Sequence, residues 1–499
     1  MTPGLLLVVV AAVALGMVLR FVALSPMWLD EAISASLADE AGIGWSALVD
    51  ALRHDGHPPL YYVLLGVWSD VFGTTDAALR AFSGVLGVFS LPLGWLVARR
   101  HLDRRGSVMM VAVLASSPFA VRYATEVRMY ALLLVLLLIL HLVVVRAWER
   151  PSTGRAGVVA VVVAALLLTH YWSLFALAVL GIGTLAARCV DRRRGNHLLG
   201  GVVAGCLAFV PWIPILIDQM AHTGTPWSPA PRPTVVVALM LEAYGGGRGA
   251  EALLVVVALS VLLALGLGSR EGPTGSTLGL TNLRWLKVVV VAGATTMFLG
   301  AVVSLVTDTA FQGRYGVFAI VPLLLACAVG LQRMTPRASV VALAVLVLLS
   351  GVSVARELSR DRTQIGEIAD VVRAEGSTGD LVVFCPDQLA PAGSRLLADH
   401  FITRSYPALD DGRRVDWVDY AQRNADADVD AVADAVAAEA VGSENVWLAW
   451  MDGYVTFEGQ CPRLRLALAE RLGRPVKAVH ADADAFDDAA NLSRFPGGS

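Results

Sequence analysis

The sequence predicts an α-helical polytopic membrane protein with a C-terminal soluble α/β domain. Three observations carry this. Of 499 residues, 56% are hydrophobic and only 16% are charged, whereas a soluble domain carries roughly 25% charged residues to coat its surface. The shortage is local, because residues 1–355 hold repeated apolar runs of about 15–21 residues, the length of helix that crosses roughly 30 Å of hydrocarbon. Residues 356–499 contain no such run and are rich in Asp, Ala and Arg. Two domains are expected: a transmembrane body over 1–355, and a soluble domain over 356–499 with enough chain for its own core.

About eleven spans are expected, over 3–23, 79–98, 106–121, 128–148, 157–170, 172–188, 198–217, 250–268, 287–307, 315–332 and 338–355. The first apolar run lacks a small-residue cleavage site and reads as a retained helix. Arginine-rich short loops recur after every second span: Arg99–Arg105; Arg146, Arg150 and Arg155; Arg188 with Arg192, Arg193 and Arg194; Arg270, Arg284 and Lys287; Arg333 and Arg337. Under the positive-inside rule these loops face the cytoplasm. The alternate loops carry Asp30, Glu31, Asp39, Glu40, Asp50, Asp55, Glu126, Asp218, Glu242 and Asp308 and face outside. An odd number of spans from a cytoplasmic N-terminus leaves the C-terminal domain extracytoplasmic.

The segment Pro58–Phe72 is apolar but short, and two prolines open it. As a crossing it would export the Arg99–Arg105 loop, so it is expected to lie at the outer interface, as is the amphipathic stretch Ala32–Leu52. Residues 24–78 thus form a long structured outer loop, a place where function concentrates.

Ionisable groups at membrane depth are costly and mark sites. Here they gather at the outer ends of the spans: Arg20, Asp30, Glu31, His57, Arg122, Glu126, Arg128, His170 and Arg314. An aqueous cavity at the outer leaflet holding carboxylates and arginines accounts for them. Asp30 and Glu31 read either as first-turn acids favoured by a helix dipole or as a general base facing that cavity. The turn from Arg122 to Tyr130 reads as an interfacial snorkelling cluster, or as a second carboxylate, Glu126, with Arg122 and Arg128 to meet phosphate oxygens. Arg314, after Gly313 and before Tyr315, suits a lipid phosphate. His57 and the pair His170-Tyr171 have phosphate or sugar contacts open to them, beside a structural role.

These motifs occur in a fixed order: Asp30-Glu31, His57-Pro58-Pro59-Leu60-Tyr61-Tyr62, the Arg80 helix ending in Arg99-Arg100, Tyr123 to Tyr130, His170-Tyr171 and Arg314-Tyr315. Over about residues 1–355 the chain resembles the polytopic glycosyltransferases of the C superfamily (GT-C), in particular bacterial enzymes akin to protein O-mannosyltransferases and the lipid A aminoarabinose transferase. The resemblance implies a GT-C-like fold in the cell (cytoplasmic) membrane. It implies inverting transfer of a sugar, mannose or arabinose, from a polyprenyl-phosphate carrier to an envelope glycan, glycolipid or protein acceptor. Asp30 matches the first-loop acid of such enzymes and Glu126 a second acid that is commonly Asp in relatives. Glu31, His57, Arg122, Arg128, Tyr130, His170, Tyr171, Arg314 and Tyr315 are the candidate substrate-binding residues, with Arg314 on the lipid phosphate. Relatives differ in metal use; a divalent cation, Mg or Mn, is compatible with the resemblance, but no ligand spacing specifies one.

The chemistry is coherent from below. A phosphate leaving group is already a stable anion, so cationic groups must offset its growing charge while a carboxylate takes the acceptor proton. The sequence lacks a nucleotide-sugar signature, and Gly245–Gly249 lacks the strand–loop–helix context of a phosphate loop. The competing function, a lipid-linked sugar flippase or transporter, calls for polar groups at mid-membrane and matched interrupted spans, neither evident here. A structural or sensory protein would leave the acid, arginine and histidine set unexplained. The net charge of −3 gives no argument for an anionic partner, and no nucleic-acid partner is expected.

In the C-terminal domain, Thr363–Ala374, Ala431–Ala440 and Leu464–Leu472 read as helices, and Leu381–Phe384 and Val446–Trp450 as strands. Trp447 and Trp450 are expected in its core. Cys385 and Cys461 would be able to pair if the domain is exported to an oxidising compartment. Cys189, Cys206 and Cys327 lie in or beside apolar runs, where free Cys behaves as a small hydrophobe. The stretch Ala481–Asp488 lacks the calcium-loop pattern and is expected to be a solvated acidic end.

Overall fold

A computed structural model describes residues 2–225, 228, 231–268, 284–482, 485 and 488–497. Arg270 of one predicted basic loop, and Ala483, Asp484, Phe486 and Asp487 of the acidic stretch, lie outside the described residues.

The helical body runs α1 (Pro3–Leu19), α2 (Leu29–Ile43), α3 (Trp45–Arg53), α4 (Leu60–Phe72), α5 (Asp76–His101), α6 (Arg104–Ser116), α7 (Pro118–Arg122), α8 (Tyr130–Glu149), α9 (Thr153–Leu167), α10 (Ser173–Val190), α11 (Arg192–Phe209), α12 (Ile213–His222), α13 (Pro233–Gly245), α14 (Ala250–Leu267), α15 (Arg284–Val306), α16 (Val317–Arg333) and α17 (Pro336–Leu358). Among the described residues eight helical segments are long and apolar enough to cross a membrane: α5, α8, α10, α11 with α12, α14, α15, α16 and α17. The other three predicted spans fall on shorter helices, α1, α6 and α9. The short apolar helix α13 was not anticipated.

Helix ends follow local chemistry. Thr2 and Thr335 accept the N–H of Leu5 and Ala338, and each is followed by proline at the first helical position, where its missing N–H is no loss. The predicted span 106–121 is broken: α6 stops at Ser116, and Ser117 caps α7 ahead of Pro118. A residue before proline is pushed out of the helical region, and Pro118 has no N–H for the carbonyl of Leu114. Arg20 takes up the freed groups, donating to Leu114 O at 3.0 Å and Ala115 O at 2.8 Å, and it also donates to Gly16 O on its own helix at 2.6 Å. Arg20 therefore belongs to this helix break and does not join the predicted cavity.

Packing in the body depends on small residues. A Cβ added at Gly330 on α16 would fall 2.1 Å from Leu262 O, and one at Gly266 on α14 would fall 2.2 Å from Ala326 O. That close approach is how helices associate where lipid removes the hydrophobic drive. Outward faces carry exposed Val288, Val291, Phe298 and Val306 on α15, as a lipid-facing surface would. The predicted outer-loop helix 32–52 is two helices, divided at Gly44 with φ +153°, a backbone conformation that favours glycine.

After α17 the chain forms a sheet with helices α18 (Ile365–Glu375), α19 (Ala390–Leu397), α20 (Tyr420–Ala425), α21 (Val429–Glu439) and α22 (Gln460–Leu472). Its strands are β1 (Leu381–Cys385), β2 (Ile402–Ser405), β3 (Asn445–Trp450), β4 (Val476–Val479) and β5 (Asn491–Pro496), in the order β2-β1-β3-β5-β4. Strands β1, β2 and β3 are parallel, and β5 is antiparallel to β3 and β4. The two strands read from sequence, β1 and β3, are apolar runs at the sheet centre. The others are short or mixed in polarity, so their pattern was silent. Trp447 is fully buried, and a Cys385–Cys461 disulfide ties the end of β1 to α22. Ion pairs dock this domain on the body: Arg395–Asp76 at 2.9 Å, Arg414–Glu40 at 2.8 Å and Arg413–Asp39 at 3.3 Å.

Candidate active site

The start of α2, the turn between α7 and α8, the α9–α10 connection and the turn before α16 meet beneath the C-terminal domain. They enclose a cavity of about 430 Å³ whose lining includes Asp30, His57, Arg128, His170, Tyr171, Arg314 and Tyr315. Seven of the eleven candidates from sequence thus share one space.

Asp30 sits in the first turn of α2. Arg314 Nη1 donates to its Oδ2, and Arg128 Nε lies 3.7 Å from the same oxygen. Arg128 is held in turn: its Nη1 donates to Ser34 Oγ at 3.2 Å, and its Nη2 lies 3.3 Å from His57 Nε2. The other His57 nitrogen, Nδ1, is 2.6 Å from Asp55 Oδ2. A continuous chain Asp55–His57–Arg128–Asp30–Arg314 results. Burial pushes the Asp30 carboxyl up, but Arg128, Arg314 and His57 outweigh it and hold the group below the ordinary aspartate value. Two guanidiniums share one carboxylate, and the buried Nε atoms of both make no hydrogen bond. Those two Nε–H groups are left without acceptors, which is what a phosphate would supply.

Aromatic residues pack around these charges. The Arg314 guanidinium lies 6.0 Å from the Tyr130 ring centre, and Tyr315 stacks on Trp172 at 4.2 Å. His170 Nδ1 accepts the Trp172 N–H at 3.1 Å, and its ring lies 6.1 Å from His57. The Tyr171 hydroxyl donates to Gln219 and accepts from Trp212 Nε1.

The remaining candidates are placed differently. Glu31, next to Asp30, is fully enclosed: Arg80 donates to it twice, at 2.8 and 2.6 Å, and the Val127 N–H at 3.0 Å. It lines neither cavity here, and its contacts make it the brace between α2, α5 and the α7–α8 turn. Burial raises its carboxyl, and Arg80, Arg362 and the Val127 N–H bring it below the ordinary glutamate value. Glu126 and Arg122 border a smaller cavity of about 120 Å³, which shares Trp28, Gln312 and Arg314 with the first. Arg122 Nε donates to Glu126 at 2.9 Å and pairs also with Glu357. Tyr130 lies behind Arg314 and is buried.

Sequence reasoning missed Asp55, Arg362 and the whole contribution of the C-terminal domain, which supplies Gln388, Trp417, Tyr454 and Asp488 to the larger cavity. No local signal marks these four, which lie on separate segments. Among the described residues no group of three or more His, Cys, Asp or Glu is placed to hold a metal ion.

Comparison with known proteins bears on the fold. The chain superposes over 98% of its length on 97% of ArnT from Cupriavidus metallidurans, solved bound to undecaprenyl phosphate, with a TM-score of 0.61 and 14% identity. The fold is that of the GT-C membrane glycosyltransferases. A second GT-C structure, arabinofuranosyltransferase AftD from Mycobacteria, matches 98% of this chain but 40% of its own, with a TM-score of 0.55 and 16% identity. Residues 56–217 match the family described as dolichyl-phosphate-mannose-protein mannosyltransferase. No curated protein matches the chain by sequence. The GT-C match spans both the helical body and the sheet domain after α17.

Proposed function

We propose that this protein is an inverting glycosyltransferase that moves a sugar, mannose or arabinose, from a polyprenyl-phosphate carrier to an envelope glycan, glycolipid or protein. It acts at the outer face of the cytoplasmic membrane, with its N-terminus cytoplasmic and its C-terminal domain outside. The observation that carries this reading is the pairing of one carboxylate, Asp30, with two arginines, the buried Arg128 and the partly buried Arg314, on one cavity wall. The solved ArnT that shares the fold holds undecaprenyl phosphate, and the positive loops support this orientation.

The donor phosphate takes Arg128 and Arg314 as partners, and its lipid lies between the helices. As the bond from the sugar C1 to the phosphate oxygen breaks, the two guanidiniums offset the charge gathering on that oxygen. The acceptor hydroxyl attacks C1 from the opposite side, which inverts the configuration, and Asp30 takes its proton. With both arginines bound to it, Asp30 is a weak base. A phosphate arriving on the arginines neutralises them and returns Asp30 to ordinary carboxylate basicity, so the donor itself arms the base. His57, His170, Tyr171 and Tyr315 bound the space around the reacting sugar. Glu126 is the second acid, acting from the adjoining small cavity.

The test is transfer by the purified protein from radiolabelled polyprenyl-phosphate mannose and arabinose to cell-envelope acceptors. Transfer from one donor, lowered at least about a hundredfold in Asp30→Asn, is expected. Absence of transfer from any carrier, with movement of carrier across vesicles, would turn the reading to a flippase.

A further inference from the structure

The C-terminal domain forms the roof of the cavity, and its contribution has a recurring geometry. Gln388 follows the carboxyl end of β1, and Tyr454 follows the carboxyl end of β3, two adjacent parallel strands. Asp488 precedes β5, whose first residue, Asn491, pairs with Trp450 at that same end of β3. Ligands of α/β sheets bind outside the carboxyl ends of parallel strands. Here that edge is turned down onto Asp30.

Two roof atoms are buried acceptors without a hydrogen-bond donor: Gln388 Oε1 and Asp488 Oδ2. Their side chains are otherwise held in place. Gln388 Nε2 donates to the Tyr420 hydroxyl, which itself donates to Asp387 Oδ1 at 2.6 Å. The Asp488 carboxyl is held by Thr363 and by the Leu29 backbone N–H, and its backbone carbonyl accepts the Gln364 N–H at 3.0 Å. Burial without a partner is costly for an acceptor, so both atoms call for a ligand rich in O–H donors. Trp417 and Tyr454 stand beside them on the lining. Trp417 is fixed by its backbone N–H to His54 O at 3.0 Å and by packing on Tyr420 at 4.9 Å.

Resting on the transferase reading above, we propose that Gln388, Trp417, Tyr454 and Asp488 form the acceptor subsite of the cavity and select a carbohydrate. Acceptor atoms beside aromatic faces match a polyol, with hydroxyls on its edges and C–H groups on its faces. A peptide backbone also brings N–H donors, but each comes with a carbonyl acceptor, whereas every hydroxyl of a sugar can donate and its C–H faces suit the aromatic rings beside these two atoms. The placement also sets geometry: a sugar held by the roof presents a hydroxyl downward to Asp30, opposite the donor phosphate on the arginines.

The test is calorimetric binding to the full-length protein in nanodiscs, with three probes: an α-linked mannotetraose, an arabinotetraose and a threonine-rich peptide. Undecaprenyl phosphate serves as a fourth, independent titrant. The expected result is binding of at least one oligosaccharide, weakened at least tenfold by Asp488→Asn and by Gln388→Met, with undecaprenyl phosphate affinity unchanged in both. Retained lipid affinity shows that the variants are folded. No oligosaccharide binding, equal affinity in both variants, or binding of the peptide in its place would overturn the proposal. Oligosaccharide binding without undecaprenyl phosphate binding would instead sink the donor site of the transferase reading and leave the sugar subsite standing.

Discussion

Arg314 and Asp30 lie 284 positions apart in the chain and form an ion pair on the wall of the cavity. The pair joins the turn that opens α16 to the first turn of α2. In the proposed reaction each partner has its own task, the carboxylate on the acceptor proton and the guanidinium on the donor phosphate. Substitutions should therefore separate them.

Asp30→Asn keeps the shape and removes the base. Turnover is expected to fall by about a hundredfold or more, the order for loss of a general base, while affinity for the polyprenyl-phosphate donor holds or rises. Steady-state transfer with a radiolabelled donor reads both quantities. A variant as active as the parent would move the base elsewhere, with Glu126 the next residue to replace.

Arg314→Lys keeps the charge but loses the planar fork that meets two phosphate oxygens. The KM for the donor is expected to rise about ten- to a hundredfold, in line with roughly 1.5–3 kcal/mol for a hydrogen bond to a charged group. The KM for the acceptor should stay near the parent value. An effect confined to the acceptor would contradict the phosphate assignment.

Glu31→Gln is a different experiment although the residue adjoins Asp30. Arg80 would be left buried without its counter-charge, which costs about 3–5 kcal/mol. A clear fall in melting temperature in detergent is expected, with the folded fraction retaining transfer. Full stability with lost activity would place Glu31 in the chemistry.

Asp387 provides a pH signature in the C-terminal domain. Burial raises its carboxyl to about 7, with the Tyr420 hydroxyl opposing. Between an ordinary unfolded value near 4 and 7, the folded state holds a proton that the unfolded chain has lost. The stability this group contributes is therefore fullest below about pH 4 and is lost as pH rises through 7. Asp488, shifted the same way by burial, adds to the slope. Thermal melts from pH 5 to pH 8 should show the decline in the parent and a shallower one in Asp387→Asn. A flat parent profile would refute it.

The membrane body was legible in the chain because span length is set by bilayer thickness and the cost of burying charge, both of which act on local composition. The order Asp30, His57, Arg128, His170, Arg314 was legible for the same reason: each is an ionisable group at an apolar boundary. The break at Ser117 was less visible, since Pro118 sits inside an otherwise continuous apolar run, and Arg20 looked like a cavity residue until its carbonyl partners were placed. Arg362, which lies 3.5 Å from Glu31 and 4.0 Å from Glu126, carried no signal at all.

By itself the sequence determined a helical membrane protein with charges gathered at the ends of its spans and a sheet-containing C-terminal domain. Only the tertiary structure decided which of two adjacent carboxylates faces the cavity. Neighbours on a helix point about 100° apart, so the packing of α2 against Arg80 turns Glu31 inward and leaves Asp30 with Arg128 and Arg314. The roof was decided the same way. Gln388, Trp417, Tyr454 and Asp488 are distant in sequence, and they meet over Asp30 because the sheet brings its strand ends together and surface ion pairs dock that edge on the body.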